Sequence, residues 1–265
     1  MRSLGRLAIA LFGIVLVGCQ TVAPRATPLD PSDPRPRALV DAWTEHARKR
    51  EGLRATARLA VDADAAGINL RAKQILVVER PGRLRVEILG WLDQTAAVLV
   101  TDGDHYEFFR ANDRYYESGA VHDALLFEVA HLALTPEEAV EILLGAPTLD
   151  RTLVPTRSGI LPDGGIVTEL VDEAGTVRER VAFDALGRLT ELEVRRADGA
   201  REWRAAYRDY REVEGGVVAH SIEIEVAAGG SSALITLQNP ELDPPVPASL
   251  FRLRAPPSAL LPQPH

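Results

Sequence analysis

Stretches of this chain alternate apolar and charged residues with a period of two. Leu84, Val86 and Ile88 are interleaved with Arg83, Arg85 and Glu87; Thr190, Leu192 and Val194 with Glu191, Glu193 and Arg195; Ile222, Ile224 and Val226 with Glu223 and Glu225. Successive side chains of a strand point to opposite faces, so each stretch reads as a strand with one buried and one wet face. Turn signals separate such runs at short intervals: Pro81-Gly82, Asp102-Gly103, Asn112-Asp113, Asp163-Gly164-Gly165, Ala174-Gly175, Asp198-Gly199, Gly215-Gly216 and Gly229-Gly230. Short connections of this kind join antiparallel neighbours. The pattern predicts about 11 strands, and a sheet that large with one apolar face must curl or close to hide it. No break separates two domains.

Two helical interruptions stand out. From Ala38 to about Arg50, Leu39, Trp43 and Ala47 recur at helical spacing and predict an N-terminal amphipathic helix. Between Val121 and about Leu134 the apolar residues Leu125, Leu126, Val129 and Leu132 follow the same period. Thr135-Pro136-Glu137-Glu138 then opens another helix, with Thr135 as N-cap, Pro136 in the first turn, Glu138 completing a capping box and Gly145 as the stop. Its apolar positions Val140, Leu143 and Leu144 need cover, which the open mouth or the concave side of a curled sheet can supply. The expected architecture is mainly β with an α lid: a curled antiparallel sheet, or incomplete β-barrel, forming one domain over residues 38–265.

The N-terminus carries a different signal. Residues 1–18 read as a signal peptide, with Arg2 and Arg6 followed by an apolar run from Leu7 to Val17 that is too short for a permanent span. Gln20 to Arg37 is rich in Pro, Thr, Ser and Asp and reads as a solvated tether, so that residues 19–37 link the start to the body. Cys19 is the single cysteine, which leaves no internal disulfide and no thiolate metal cluster. Removing residues 1–18 takes two arginines and no acid, and moves the net charge from −8 to −10. An acidic body without a Lys/Arg run argues against nucleic acid as a partner and against electrostatic docking on an anionic membrane.

Leu16-Val17-Gly18-Cys19 resembles the lipobox of bacterial lipoproteins. The resemblance implies cleavage before Cys19, a diacylglyceryl thioether and an N-acyl chain such as palmitate on that residue, and attachment to a membrane. Multiple acyl chains anchor far better than one, at about 0.8 kcal/mol per buried CH₂. Gln20, in place of the Asp that retains enteric lipoproteins in the inner membrane, is compatible with the outer membrane.

Catalytic signals are lacking. The sequence has no Gly-x-Ser-x-Gly elbow, no Walker-type loop and no His-Glu-x-x-His helix. His46, His105, His122, His131, His220 and His265 never fall in ligand spacing, and Asp102, Asp104 and His105 read as a hairpin turn rather than a cation site. The expectation is a protein that is not an enzyme and has neither cofactor nor metal.

The order of a lipidated start, a first helix, antiparallel strands, a helical insertion and further strands resembles the LolA/LolB family of lipoprotein carriers, and the anchored acceptor type most nearly. The segments that carry the likeness are the hairpin Arg83 to Val100 around Gly90-Trp91-Leu92-Asp93-Gln94-Thr95, the insertion ending Glu141-Ile142-Leu143-Leu144-Gly145, Glu202-Trp203-Arg204-Ala205-Ala206-Tyr207 with Tyr210, and the strand pair Ile222 to Leu237. The resemblance implies a half-barrel whose apolar cavity takes the acyl chains of lipoproteins or lipids and delivers them to the membrane, on the periplasmic face of the outer membrane, with a periplasmic LolA-type carrier as donor. It further implies that Trp91 and Leu92 form a membrane-probing loop, that Leu84, Val86, Ile88, Val98, Ile222 and Ile224 line the cavity, and that Leu125, Leu126, Val129, Val140, Leu143 and Leu144 belong to the lid. The loop departs from the family's Pro-Leu-Gly, since Asp93 resists deep insertion. Alternation alone also fits a filled interior, and the alternative reading is a structural or binding lipoprotein that serves an envelope complex without lipid transfer.

Overall fold

The computed structural model describes residues 26–63 and 67–253; the expected signal peptide and Cys19 lie outside them. The chain runs β1 (Thr27–Pro28), α1 (Arg35–Ala47), β2 (Gly52–Ala63), β3 (Ile68–Glu79), β4 (Arg83–Leu89), β5 (Thr95–Asp102), β6 (His105–Arg110), β7 (Tyr115–Ala120), α2 (Leu125–Ala130) and α3 (Pro136–Leu143). It continues through β8 (Val154–Ile160), β9 (Ile166–Val171), β10 (Val177–Phe183), β11 (Leu189–Arg195), β12 (Arg201–Val213), β13 (Gly216–Val226) and β14 (Ser231–Leu242). All 14 strands form one antiparallel sheet in the order β1-β8-β9-β10-β11-β12-β13-β14-β2-β3-β4-β5-β6-β7, which leaves β1 and β7 as unjoined edges. Two up-and-down meanders, β2 to β7 and β8 to β14, become one sheet where β14 pairs with β2, Leu237 opposite Ala57.

The strand count exceeds the sequence expectation for identifiable reasons. β1 has two residues and can show no alternation. The patterns of β7, Tyr-Tyr-Glu-Ser-Gly-Ala, and β8, Val-Pro-Thr-Arg-Ser-Gly-Ile, are mostly polar or small. The ordered body also begins earlier than Ala38, because Thr27 and Pro28 pair with Ile160 and Gly159 and α1 starts at Arg35.

Register decides which residues meet. Leu76 faces Val86, which faces Leu99, which faces Phe108; Ile222 faces Tyr207 and Ile235; Leu192 faces Ala205 and Val181. These residues share the inner face. The opposite face is wet and carries cross-strand ion pairs: Arg204 on β12 meets Glu191 on β11 at 2.6 Å and Glu225 on β13 at 3.2 Å.

Each of the three helices turns an apolar stripe inward. α1 buries Val40, Trp43, Thr44 and Ala47 and packs on β8 and β9, so its stripe is centred one residue beyond Leu39, which is half-buried. α2 is shorter than expected and stops where His131 takes a left-handed φ of 56°. α3 begins with the predicted capping box: Glu138 N donates to Thr135 Oγ1 at 3.2 Å, and Thr135 N to Glu138 Oε2 at 2.8 Å. It packs on β3 and β4 on one side. On the other, Trp203 Nε1 donates to Glu138 Oε1 at 2.9 Å and Tyr207 Oη to the Ile142 carbonyl at 3.4 Å. α3 therefore crosses the concave side of the sheet.

Arg80, at the end of β3, fastens this arrangement. Its Nη1 donates to the carbonyls of Ala47 and Arg50, each at 2.6 Å, its Nε and Nη2 reach the Glu141 carboxylate at 2.5 and 2.9 Å, and Nη2 also meets the Ala146 carbonyl at 2.6 Å. The side chain is 12% exposed. Arg80→Ala takes the paired cation from Glu141 and a charged donor from three carbonyls, and should lower unfolding stability by about 3 kcal/mol, measured by urea denaturation.

Glu179 is a second buried charge, without such compensation. It sits on the inner face between Leu170 and Val194, its only hydrogen bond is from Asp150 N at 3.4 Å, and its Oε2 has no partner. Burial pushes its pKa up from 4.5 to about 7. The unfolded chain then releases this proton first, so stability falls as pH rises from 4.5 towards 7, and the penalty is complete above that window. Glu179→Gln should match the parent near pH 4 and exceed it at pH 8 by about 3 kcal/mol, read from urea midpoints at the two pH values.

Candidate acyl-chain face and tip

The expected cavity residues separate into three groups. Leu84, Ile222 and Ile224 face inward and are closely packed, at 1%, 0% and 3% exposure. Val86 and Ile88 also face inward but are half-buried. Val98 corrects the expectation: it pairs with Glu87, whereas Val86 pairs with Leu99, so Val98 lies on the outer face and Leu99 occupies the inner one. A one-residue offset reverses the face of a strand residue, and the run Val98-Leu99-Val100 is apolar throughout, so alternation could not choose between them. The outer apolar face of β5 has its own cover. A helical turn at Ala248–Phe251 packs on β4 and β5, with Phe251 buried, Arg85 Nη1 donating to the Leu250 carbonyl at 3.2 Å and Leu253 N to Glu107 at 2.7 Å.

Of the expected lid residues, Leu125, Leu126, Val140, Leu143 and Leu144 are buried and Val129 is half-buried. They join the inner-face residues in one continuous core. The space under α3 is thus occupied by side chains. What stays open is the inner face towards the turn that joins β4 to β5. There Leu59, Ala72, Val86, Ile88 and Ala97 are half-buried and Leu70 is 40% exposed. Next to it a depression of about 530 Å³ is lined by Gln94 to Ala97 and Arg110 to Asn112. Phe127 of α2, exposed, reaches this same end of the sheet beside Gly229.

The β4–β5 connection forms a tip. Trp91 and Leu92 are each 84% exposed in a single helical turn, Trp91–Asp93, closed by a hydrogen bond from Gly90 N to the Gln94 carbonyl at 2.8 Å. Leu92 has φ 62°. A leucine in the left-handed region costs roughly 1–2 kcal/mol that glycine or asparagine avoids. Asp93, which by itself opposes insertion into a bilayer, is paired with Lys73 Nζ on the outer face of β3 at 3.0 Å. The pairing removes the net charge that the sequence places at the tip.

The Asp102-to-His105 segment weighed as a cation site has structural partners. Asp102 Oδ1 accepts from Asp104 N at 3.1 Å and His105 N at 2.9 Å, which makes the expected hairpin turn. Phe108 faces in and Phe109 out, opposite Tyr116. Among the described residues no group of His, Cys, Asp and Glu is arranged to hold a metal ion, and no helix is long and apolar enough to cross a membrane. Sequence reasoning missed Leu99, the contribution of Phe127 and the buried Glu179. Of these only Glu179 leaves a trace in the sequence, because it breaks the apolar phase of Val177-Arg178-Glu179-Arg180-Val181.

No protein-family model matches the chain, and no curated protein matches it in sequence. Solved structures do. A DUF1329 family protein from Desulfovibrio piger is 11% identical with a TM-score of 0.55, covering 84% of this chain and 98% of that one. A LolA superfamily protein from Nitrosomonas europaea is 10% identical with a TM-score of 0.52, covering 82% and 97%. A domain from Vibrio parahaemolyticus, described as an outer membrane lipoprotein-sorting protein, is 12% identical with a TM-score of 0.54, covering 79% and 94%. At such identities the likeness establishes the architecture alone: the chain has a LolA/LolB-like fold, an incomplete antiparallel barrel with helices on its concave side.

Proposed function

We propose that this chain is an envelope lipoprotein, held through Cys19 in the outer membrane on its periplasmic face, that takes up the acyl chains of a lipidated protein or lipid and passes them to the membrane. A LolA-type carrier is the natural donor. The observation that carries the reading is the Trp91–Leu92 tip: a fully presented apolar pair, held in unfavourable backbone, beside the half-exposed apolar end of the inner face. Strain retained at an exposed leucine has no packing reason, which favours a functional one. The LolA-like fold and the lipoprotein-sorting description of the Vibrio neighbour support the same reading.

The mechanism needs no bond chemistry. Each acyl CH₂ moved out of water gains about 0.8 kcal/mol, so a chain held against Val86, Ile88, Leu59 and Leu70 is protected in transit. Transfer follows when the bilayer offers more burial than the protein does. The tip brings the open end of the inner face to the hydrocarbon boundary, where an indole ring is favoured. A second reading, a structural lipoprotein of the same fold, is favoured by the close packing of Leu84, Ile222 and Ile224 under the helices.

Titration with a fluorescent diacylated lipopeptide separates the two. Saturable binding that falls at least tenfold in Ile88→Trp, with folding intact, supports the carrier; no binding by the parent, or binding indifferent to Ile88, supports the structural reading. For the tip, Leu92→Asn should raise stability by about 1 kcal/mol through relief of its backbone while transfer of bound lipopeptide to vesicles declines. Unchanged transfer would remove the tip from the mechanism.

A further inference from the structure

The turns of an antiparallel meander alternate between the two rims of the sheet. The register places the β4–β5 turn, with Trp91 and Leu92, on the same rim as the β2–β3, β13–β14, β11–β12 and β9–β10 turns. The β8–β9 turn is on the opposite rim, and Thr27 pairs there with Ile160, the residue that ends β8. The N-terminal segment therefore joins the body at the rim opposite the tip.

Distances make this consequential. β2, with 12 residues, is about 40 Å long at about 3.3 Å per residue. A strand tilt of about 40° in a curled sheet still leaves about 30 Å between the rims. From Cys19 to Thr27 is eight residue steps, which span at most about 29 Å when fully extended. A body standing upright on the rim nearer Cys19 carries its tip some 30 Å away from the bilayer. One standing on the tip needs this segment at its limit.

We infer that the anchored protein brings Trp91 and Leu92 to its own bilayer by lying along it, strands close to the membrane plane, so that the tip arrives without the segment from Cys19 to Thr27 being stretched. This rests on the reading above that Cys19 is lipidated and that the tip enters membrane. The flank turned to the bilayer then runs from the β1–β8 edge, where the chain enters, to the β4–β5 tip. Shortening the segment by four residues leaves about 14 Å of reach, enough for a body that lies flat with its anchored rim at the surface and too little for one that stands on its tip.

Tryptophan fluorescence tests this directly, because Trp43 and Trp203 are buried and Trp91 alone is exposed. The mature lipidated protein, reconstituted in phosphatidylcholine vesicles with brominated acyl chains, should be quenched. Deletion of Thr21 to Pro24 in the same lipidated protein should leave that quenching within twofold of the parent. The mature chain with Cys19→Ala, added to the same vesicles, should be quenched, since a free body can turn its tip to the bilayer. A larger loss with the short segment overturns the inference, because it means that the body stands on its tip, as does a lipidated parent that is unquenched while the Cys19→Ala protein is quenched. An unquenched Cys19→Ala protein overturns the tip reading itself, and the inference with it.

Discussion

The guanidinium of Arg80 donates to the last turn of α1, to Glu141 of α3 and to the carbonyl of Ala146, so that one side chain at the end of β3 fixes both helices against the sheet. The geometry of the inner face depends on it. A one-sided sheet of 14 strands presents more apolar surface than the residues of its own edges can hide. α1 and α3 supply the missing cover, and two of their fastenings lie at the end away from the tip: Arg80 below α3, and Trp43 Nε1 on the Pro147 carbonyl at 3.1 Å. Towards the opposite end the cover is short α2 and Glu138 of α3 on Trp203, and the apolar residues that stay half-open are found at that end.

This asymmetry reconciles a filled interior with the proposed lipid binding. Leu84, at the start of β4, belongs to the packed end and is held as an ordinary core, where every methylene counts. Ile88, Leu59 and Leu70 belong to the open end, beside a tip whose backbone strain is carried by nothing in its own packing. The Lys73–Asp93 pair links tip and sheet. It neutralises the tip locally although the body as a whole is acidic, so the net charge of the chain says little about how this one surface meets a membrane.

Much of this fold was legible because β-sheet alternation is a short-range signal. β4, β11 and β13 follow directly from their periods, and α3 from a capping box written in four consecutive residues. The count of strands was not legible, because β1 is two residues long and β7 and β8 are polar or small and gain their pairing from neighbours rather than from pattern. The face of Val98 was not legible either, since three consecutive apolar residues are compatible with both registers, and the C-terminal strap that covers one of them is distant in sequence. The tip was legible only through its resemblance to a family loop: Trp-Leu-Asp carries no local signal of exposure, and its left-handed backbone is a tertiary property. Arg80 and Glu141 are 61 residues apart, and nothing in either neighbourhood announces the other.

If an acyl chain enters this fold, the helices differ in what they lose by moving. Displacing α3 breaks the Arg80–Glu141 pair, the Trp203 bond to Glu138 and the Tyr207 bond to Ile142, and uncovers Val140, Ile142, Leu143 and Leu144. Four buried aliphatic side chains alone amount to about 6–12 kcal/mol. α2 has six residues, no side-chain cap, and two fully covered leucines worth about 3–6 kcal/mol together. A chain of about sixteen carbons gains about 12 kcal/mol on complete burial, enough to repay the movement of α2 with a margin but not that of α3 with its polar ties. Of the two helices that the sequence reading placed in the lid, the one that would then move is short α2 at the tip end, and α3 is the floor on which the acyl chain would lie.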